Sequence, residues 1–186
     1  IHGVFNADVS STTNSITVNG HSIKYSKEDS LENLNWTGCD VVIEATGRFL
    51  TKVDLSKHQQ AGATKVVLAS PPKGDDIKML VLGVNDTILV DSDTIISNAS
   101  CTTNSAAPMV QLIDAHFGVE QAYITTIHSY TKDQSLHDSP HKDLRRARAG
   151  ALSIIPTTTG AAKALTKIFP QLEIGGCGMR VPIPNG

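Results

Sequence analysis

The chain has 186 residues, of which 40% are hydrophobic and 18% charged, and its formal net charge is -2 at pH 7. This is the composition of a globular protein, and its near-neutral charge gives no long-range attraction to nucleic acid or to an anionic membrane. The sequence has no signal-peptide pattern and no apolar run near the roughly 20 residues of a membrane span. Three cysteines without disulfide-framework or metal-ligand spacing favour a reducing compartment, so we expect a cytoplasmic protein without a metal site.

The two ends of the chain are unusual. The chain begins at Ile1 without an initiator methionine and stops at the turn signal Pro184-Asn185-Gly186, which normally leads into another element. We therefore expect an internal segment of a longer protein.

Two β-prone runs come early in the chain, at residues 15–18 and 21–25, and they flank Asn19-Gly20. An Asn-Gly pair between such runs predicts a β-hairpin with a type I′ turn. This hairpin carries no chemistry of its own.

A β-α-β succession follows. Residues 40–47 and 65–68 have the continuous β-branched character of strands in a parallel sheet, and residues 53–61 predict a helix that Gly62 ends. Residues 79–82 and the run ending at Ile96 predict two more strands. The sequence therefore predicts an α/β domain.

Ligands of parallel sheets bind beyond the carboxyl ends of the strands, which here are residues 46–49 and 69–71. From spacing alone, plain strand-ending turns are an equally good interpretation. No G-x-G-x-x-G occurs in the chain. Either this is not a dinucleotide domain, or its first unit precedes Ile1.

Cys101 stands between the β-prone run ending at Ile96 and a segment of helical apolar spacing that Gly118 ends. The N–H groups and the positive dipole end of a helix start favour a thiolate. A small buried hydrophobe is the alternative interpretation. Pro108 removes a backbone donor, so we expect the helix to begin late or to be kinked there.

Residues 121–127 predict a strand that places His128 at its end. A cysteine and a histidine from different elements can form a thiolate–imidazolium pair, which keeps the sulfur nucleophilic. A surface or core histidine is the alternative.

Two later segments suit anions. The loop at 138–148 carries a basic cluster, which favours either a phosphate-bearing small substrate or a solvated face or interface in which Asp138 and Asp143 pair with arginines. Residues 157–162 place hydroxyls and free N–H groups at a helix start, where they can hold an anion, cap the helix, or do both.

Five stretches resemble the phosphorylating glyceraldehyde-3-phosphate dehydrogenase family, in its order and with nearly its spacing: residues 97–104 (Ser-Asn-Ala-Ser-Cys-Thr-Thr-Asn), 128–131, 140–149, 156–163 and 179–182. The resemblance covers essentially the whole chain. It implies a partial Rossmann-type NAD-binding domain at 1–99, followed by part of an α+β catalytic domain at 100–186.

The resemblance also implies residue roles. Cys101 is the nucleophile toward the aldehyde of glyceraldehyde 3-phosphate, and His128 is its base. Thr131 and Arg180 match the site of the substrate's C3 phosphate. Positions near the attacking inorganic phosphate are matched by Ser100, Thr102, Arg146, Thr159 and Gly160. Residues at the cofactor are matched by Thr46, Gly47, Phe49, Ala69 and Ser70.

The implied cofactor is NAD rather than NADP, since Pro140 stands where NAD-preferring members often have proline, and the implied full-length assembly is a homotetramer. The sister enzyme acting on erythrose 4-phosphate and a non-catalytic binding or assembly module remain alternatives, although Thr131 and intact residues 157–160 favour the glyceraldehyde enzyme. Because the family's glycine-rich loop would precede Ile1, we expect the 186-residue segment to be inactive alone.

Overall fold

The computed structural model describes residues 3–185, and within that range it has ten strands and three α-helices. In chain order the elements are β1 (Val9–Ser11), β2 (Ser15–Val18), β3 (His21–Lys24), β4 (Val41–Glu44), α1 (Lys52–Gln60), β5 (Lys65–Leu68), β6 (Lys78–Met79), β7 (Ile95–Ser97), α2 (Cys101–Phe117), β8 (Gln121–Ser129), β9 (Ile155–Thr157), α3 (Ala161–Ile168) and β10 (Glu173–Val181). Single 3₁₀ turns lie at Leu31–Asn33, Asp86–Ile88 and Gly150–Leu152.

The first sheet is antiparallel, in the order β1-β2-β3. Asn19 (φ +47) and Gly20 (φ +81) join β2 to β3, and positive φ at both central residues is the requirement of a type I′ turn. The predicted hairpin is confirmed.

The second sheet is parallel, in the order β4-β5-β7-β6. Helix α1 crosses from β4 to β5 and buries Leu55 against Val66 and Leu68, each of which is fully buried. Two parallel strands need a crossover connection of this kind. The predicted β-α-β succession and the α/β class are confirmed.

The strand predicted at residues 79–82 is wrong in extent, since β6 ends at Met79. The side chain of Asn85 accepts a hydrogen bond from the Val81 N–H (2.8 Å) and donates to the Met79 carbonyl (2.9 Å). These bonds hold the chain in a turn and satisfy backbone groups that a longer strand would offer to a neighbouring strand.

Helix α2 begins at Cys101 and runs through Pro108 to Phe117. The predicted alternative in which the helix begins only after the proline is therefore wrong. Ser100 caps the helix by accepting a hydrogen bond from the Thr103 N–H (3.1 Å). The cap at one end and the buried contacts of Val110 beyond the proline hold the helix although Pro108 donates no hydrogen bond.

The third sheet has the order β8-β10-β9, with β8 and β10 parallel and β9 antiparallel to β10. The register places Arg180 of β10 opposite His128 of β8. Helix α3 lies against β10 and buries Leu165 completely.

A hydrophobic cluster joins the parallel sheet to the rest of the chain. It packs Met79, Val81 and Ala99 with residues of α2 and α3 and with the start of β10. The carboxyl edge of the parallel sheet and the start of α2 are thereby held next to β8 and β10, where the candidate site lies. Within residues 3–185, no helix combines the length and the apolar character that crossing a bilayer requires.

Replacing Gly62 by alanine should destabilise the fold by about 3 kcal/mol, because a left-handed φ and a backbone overlap add together. Gly62 has φ +111, and an added Cβ would lie 2.9 Å from the Thr37 nitrogen and 3.1 Å from the Trp36 carbonyl carbon. The matched control is Gly20→Ala, since Gly20 has φ +81 but open space around the missing Cβ. We expect about 1 kcal/mol there, from strain alone. Urea unfolding followed by circular dichroism measures both, and equal losses would contradict the overlap argument.

Candidate active site

Cys101 is the first residue of α2, the longest described helix. Ala99 lies just before it at φ +56, a conformation that is uncommon outside glycine, and it turns the chain from β7 into the helix. Ala99 is buried whereas Cys101 is exposed. The sulfur therefore faces solvent at the N-terminal end of α2, where it is accessible to a substrate.

The side chain of His128 lies beside this sulfur. Cys101 Sγ and His128 Nε2 are 3.4 Å apart, and His128 Nδ1 lies 2.8 Å from the Ser129 carbonyl oxygen. A carbonyl can only accept, so Nδ1 carries a hydrogen and Nε2 of the neutral ring is free to accept a proton from sulfur. The geometry suits a thiol–imidazole pair in which His128 acts as the base.

A cavity of about 170 Å³ opens in front of this pair. It is smaller than the roughly 300–1,000 Å³ pockets that drug-sized ligands fill, so it suits a substrate of a few carbon atoms. Seven of the residues predicted from the sequence line it: Ser100, Cys101, Thr102, His128, Thr159, Gly160 and Arg180. The other lining residues are Pro71, Thr126, Thr157, Thr158, Ala161 and Met179.

Arg180 supplies the positive charge of the cavity wall. Its Nη1 donates to the Ser129 carbonyl (3.4 Å), the same oxygen that accepts from His128. Its Nε is buried and has no hydrogen-bond partner among the described residues. Burial, and then the nearby charge of Arg146, lower the pKa of Arg180 from its ordinary value. An anion in the cavity would satisfy the unpaired donor and relieve this desolvation.

Two predicted phosphate residues do not line the cavity. Arg146 is held by the carboxylates of Asp133 and Asp143, the second at 3.4 Å. Thr131 donates both its N–H (2.9 Å) and its hydroxyl (3.3 Å) to the buried side chain of Gln134. Both side chains are engaged within the loop that follows β8.

The basic loop is paired internally, as the alternative interpretation anticipated. Asp143 also contacts Arg145 at 3.2 Å, and Asp138 contacts Arg148 at 3.0 Å. The hydrogen bond from Arg145 lowers the pKa of Asp143 below its usual range.

The five predicted cofactor residues lie at the carboxyl edge of the parallel sheet. Thr46, Gly47 and Phe49 follow β4, and Ala69 and Ser70 follow β5. The Ser70 hydroxyl is buried without a hydrogen-bond partner in the described part of the chain, and the position of a Cβ on Gly47 (φ +70) is open space. An unsatisfied hydroxyl and an open backbone turn at this edge fit a bound dinucleotide. The neighbouring Pro71 lines the cavity, so the edge and the cavity adjoin.

Sequence reasoning missed Thr126 and the carboxylate of Asp133. Thr126 lies two positions before His128 on β8, and alternate residues of a strand lie on one face. The strand pattern could therefore have predicted that Thr126 lies near the site. The pairing of Asp133 with Arg146 depends on the path of a loop, which no periodicity in the sequence predicts. For residues 3–185, His, Cys, Asp and Glu side chains form no group of three that could hold a metal ion.

The acid dependence of stability should change when Asp133 is replaced by asparagine. Burial raises the pKa of Asp133, but the hydrogen bond and charge of Arg146, with a smaller contribution from His141, outweigh it and leave that pKa below its usual range. The pair therefore stabilises the fold above the ordinary aspartate pKa of about 3.9, and this contribution is lost as the pH falls through the lower folded value.

We expect Asp133→Asn to lower stability at pH 7 by about 1 kcal/mol or less, because the carboxylate is half-exposed, and to flatten the loss of stability on acidification. Urea midpoints across the acid range measure this. Asp75→Asn, which breaks the exposed contact with Lys167, is the control for a surface pair. An unchanged acid slope in Asp133→Asn would contradict the assignment.

Comparisons with known proteins find two family domains in the chain. The family model described as "Glyceraldehyde 3-phosphate dehydrogenase, NAD binding domain" matches residues 1–52, and the one described as "Glyceraldehyde 3-phosphate dehydrogenase, C-terminal domain" matches residues 100–186. Together the two matches cover well over half of the chain.

Curated relatives align over the whole chain. Glyceraldehyde-3-phosphate dehydrogenase of Geobacillus stearothermophilus is 50% identical over 190 residues, which are 100% of this chain and 56% of the relative. The Streptomyces coelicolor enzyme is 49% identical over 191 residues, with the same coverage. The chloroplastic A enzyme of Scenedesmus vacuolatus is 49% identical over 188 residues, 98% of this chain and 60% of the relative. The chain thus spans little more than half the length of these relatives, and over that span it belongs to the glyceraldehyde-3-phosphate dehydrogenase family.

Proposed function

We propose that this chain carries the nucleophile and the acyl-transfer site of an NAD-dependent, phosphorylating glyceraldehyde-3-phosphate dehydrogenase of glycolysis. The observation that carries the proposal is the Cys101–His128 pair, with 3.4 Å between Sγ and Nε2, at the mouth of a cavity that also presents Arg180. The names of the relatives favour the glyceraldehyde enzyme over its erythrose 4-phosphate sister.

The first step is addition of sulfur to the aldehyde. Cys101 Sγ forms a bond to the carbonyl carbon, the thiol proton passes to His128, and His128 returns it to the oxygen of the resulting hemithioacetal. His128 can do this because Nε2 faces the sulfur while the Ser129 carbonyl fixes the ring through Nδ1.

Oxidation then converts the hemithioacetal into a thioester. When bound, NAD supplies the acceptor for the hydride that the carbon loses. His128 takes the hydroxyl proton, so that the carbonyl can form as the hydride leaves. The thioester retains the energy of the oxidation because a thiolate is a good leaving group.

Inorganic phosphate completes the turnover. A phosphate oxygen attacks the thioester carbon and the Cys101 thiolate leaves, which gives 1,3-bisphosphoglycerate. Arg180 and Thr131 hold the C3 phosphate of the substrate. The attacking phosphate is held by Ser100, Thr102, Arg146, Thr159 and Gly160, of which only Arg146 stands outside the described cavity wall. At the start of α3 the Thr159 hydroxyl accepts a hydrogen bond from the Ala161 N–H (3.2 Å), which fixes this threonine at the cavity wall.

The cofactor edge consists of Thr46, Gly47, Phe49, Ala69 and Ser70, and it takes NAD rather than NADP. In this proposal the NAD-binding domain comprises 1–99 and the catalytic domain 100–186. The full-length protein acts as a cytoplasmic homotetramer. The domain matches at 1–52 and 100–186, and the adjoining of the two sites at Pro71, support the division into these two domains.

A full-length protein carrying this segment tests the proposal. NADH formation should require glyceraldehyde 3-phosphate, and omission of phosphate should leave a burst of about one NADH per Cys101, because the thioester then accumulates. A higher kcat/KM for erythrose 4-phosphate would favour the sister enzyme. Absence of any burst, with the thiol intact, would rule out the acyl-enzyme route.

A further inference from the structure

A chain of hydrogen bonds leads from Trp36 through the buried side chains of His58 and Glu44 to the turn at the carboxyl end of β4. Trp36 Nε1 donates to His58 Nδ1 (3.0 Å), and His58 Nε2 lies 3.0 Å from Glu44 Oε2. The other carboxylate oxygen, Oε1, accepts from both the N–H (2.7 Å) and the hydroxyl (2.5 Å) of Thr46. Glu44 and His58 are each 3% exposed.

The protonation of the chain follows from its donors. An indole N–H can only donate, so His58 Nδ1 is an acceptor and Nε2 carries the ring hydrogen. His58 therefore donates to Glu44, and every group that contacts the carboxylate is a donor. Each of the four bonds, two of which join Thr46 to the same Glu44 oxygen, has one direction, so together they define a single arrangement of these side chains.

Burying a carboxylate costs free energy unless its oxygens are hydrogen-bonded. Glu44 is buried, and its side-chain hydrogen bonds are to His58 and Thr46. Its partners point to a role at the edge. Thr46, which it holds through two bonds, in turn accepts the Arg48 N–H (3.2 Å), and Gly47 between them is at φ +70. The conformation of the turn after β4 thus depends on Glu44.

We propose that Glu44, held in place by His58, is a positioning residue for the cofactor edge: it fixes the turn carrying Thr46 and Gly47 in the conformation that binds the dinucleotide. This inference rests on the proposed function for the identity of the ligand. The positioning itself is a property of the protein without ligand, so it can be measured separately.

The test is Glu44→Gln in a full-length protein carrying this segment. Glutamine keeps the shape but has one acceptor, and its NH₂ must face either Thr46 or His58. Since Trp36 already donates to His58 Nδ1, His58 Nε2 cannot become an acceptor without loss of the indole bond. The glutamine NH₂ must therefore face Thr46, and the Thr46 N–H loses its acceptor. We expect amide hydrogen exchange at Thr46 to accelerate about tenfold in the cofactor-free protein, and the Kd for NAD from calorimetry to rise about tenfold.

The KM for glyceraldehyde 3-phosphate should stay unchanged, because Glu44 contacts none of the residues of the cavity. Glu32→Gln is the matched control. Glu32 also contacts α1, through Lys57 at 3.2 Å, but it is exposed and its hydrogen bonds are to Lys57 and Ser30 rather than to the turn. This variant should leave the Thr46 exchange rate and the Kd for NAD at their wild-type values.

If Glu44→Gln does not fold, Glu44→Asp serves instead. Aspartate keeps the carboxylate but its side chain is one methylene shorter, so the Thr46 exchange rate and the Kd for NAD should both rise by less than in Glu44→Gln. A folded variant with unaltered Thr46 exchange would overturn the proposal, even if the Kd for NAD rose. Faster exchange with unaltered NAD affinity would also overturn it. Failure of the wild-type protein to oxidise glyceraldehyde 3-phosphate would instead count against the proposed function, because the exchange measurement needs no turnover.

Discussion

Replacing Cys101 by serine should abolish thioester formation and lower kcat by at least about a thousandfold. A serine hydroxyl is far less acidic than a thiol, and its oxygen is a much weaker nucleophile at neutral pH. An ester would also be a poorer acyl donor to phosphate than a thioester. The phosphate-free burst of NADH, measured in the full-length protein, should disappear.

Cys177→Ser is the matched control for this loss. Cys177 lies in β10, partly buried, and its sulfur is 3.9 Å from the Thr125 hydroxyl rather than in the cavity. The same substitution there should leave the burst intact. Iodoacetate should block the wild-type burst by labelling Cys101, the exposed cysteine of the three. A normal burst in Cys101→Ser would place the nucleophile elsewhere.

The meeting of Cys101 and His128 was predictable because it follows from regular structure. A cysteine at a strand-to-helix junction and a histidine late in the next strand lie at the same edge when that strand runs back past the helix start. The hydroxyls and N–H groups of residues 157–162 predicted a helix start that could hold an anion or cap the helix, and residues 157–161 do line the cavity at the start of α3.

Other features could not be read from the sequence because they depend on single side chains. The side-chain amide of Asn85 determines where β6 ends. Helix α2 continues through Pro108 because Ser100 caps its start and Val110 is buried beyond the proline. Periodicity marks Glu44 as a polar residue at a strand end. Only the three-dimensional path of α1 shows that His58 reaches it.

Replacing His128 by asparagine should lower kcat by about a hundredfold to ten-thousandfold, the range that a positioned general base contributes. Asparagine is the informative choice. Its amide NH₂ can donate to the Ser129 carbonyl as Nδ1 does, while nothing replaces Nε2 opposite the sulfur. The substitution therefore removes the base and keeps the local anchor. Alkylation of Cys101 by iodoacetate at pH 7 should slow about tenfold, because the ring nitrogen that can take the thiol proton no longer lies beside the sulfur.

His116→Asn is the control, because His116 is an exposed residue of the last turn of α2 and lies away from the cavity. It should leave kcat and the alkylation rate unchanged. The two readouts separate the two roles of His128. If kcat falls while alkylation keeps its wild-type rate, His128 moves protons in the hemithioacetal but does not activate the Cys101 thiol toward iodoacetate. If neither changes, the 3.4 Å contact has no catalytic role, and the pairing with Cys101 is wrong.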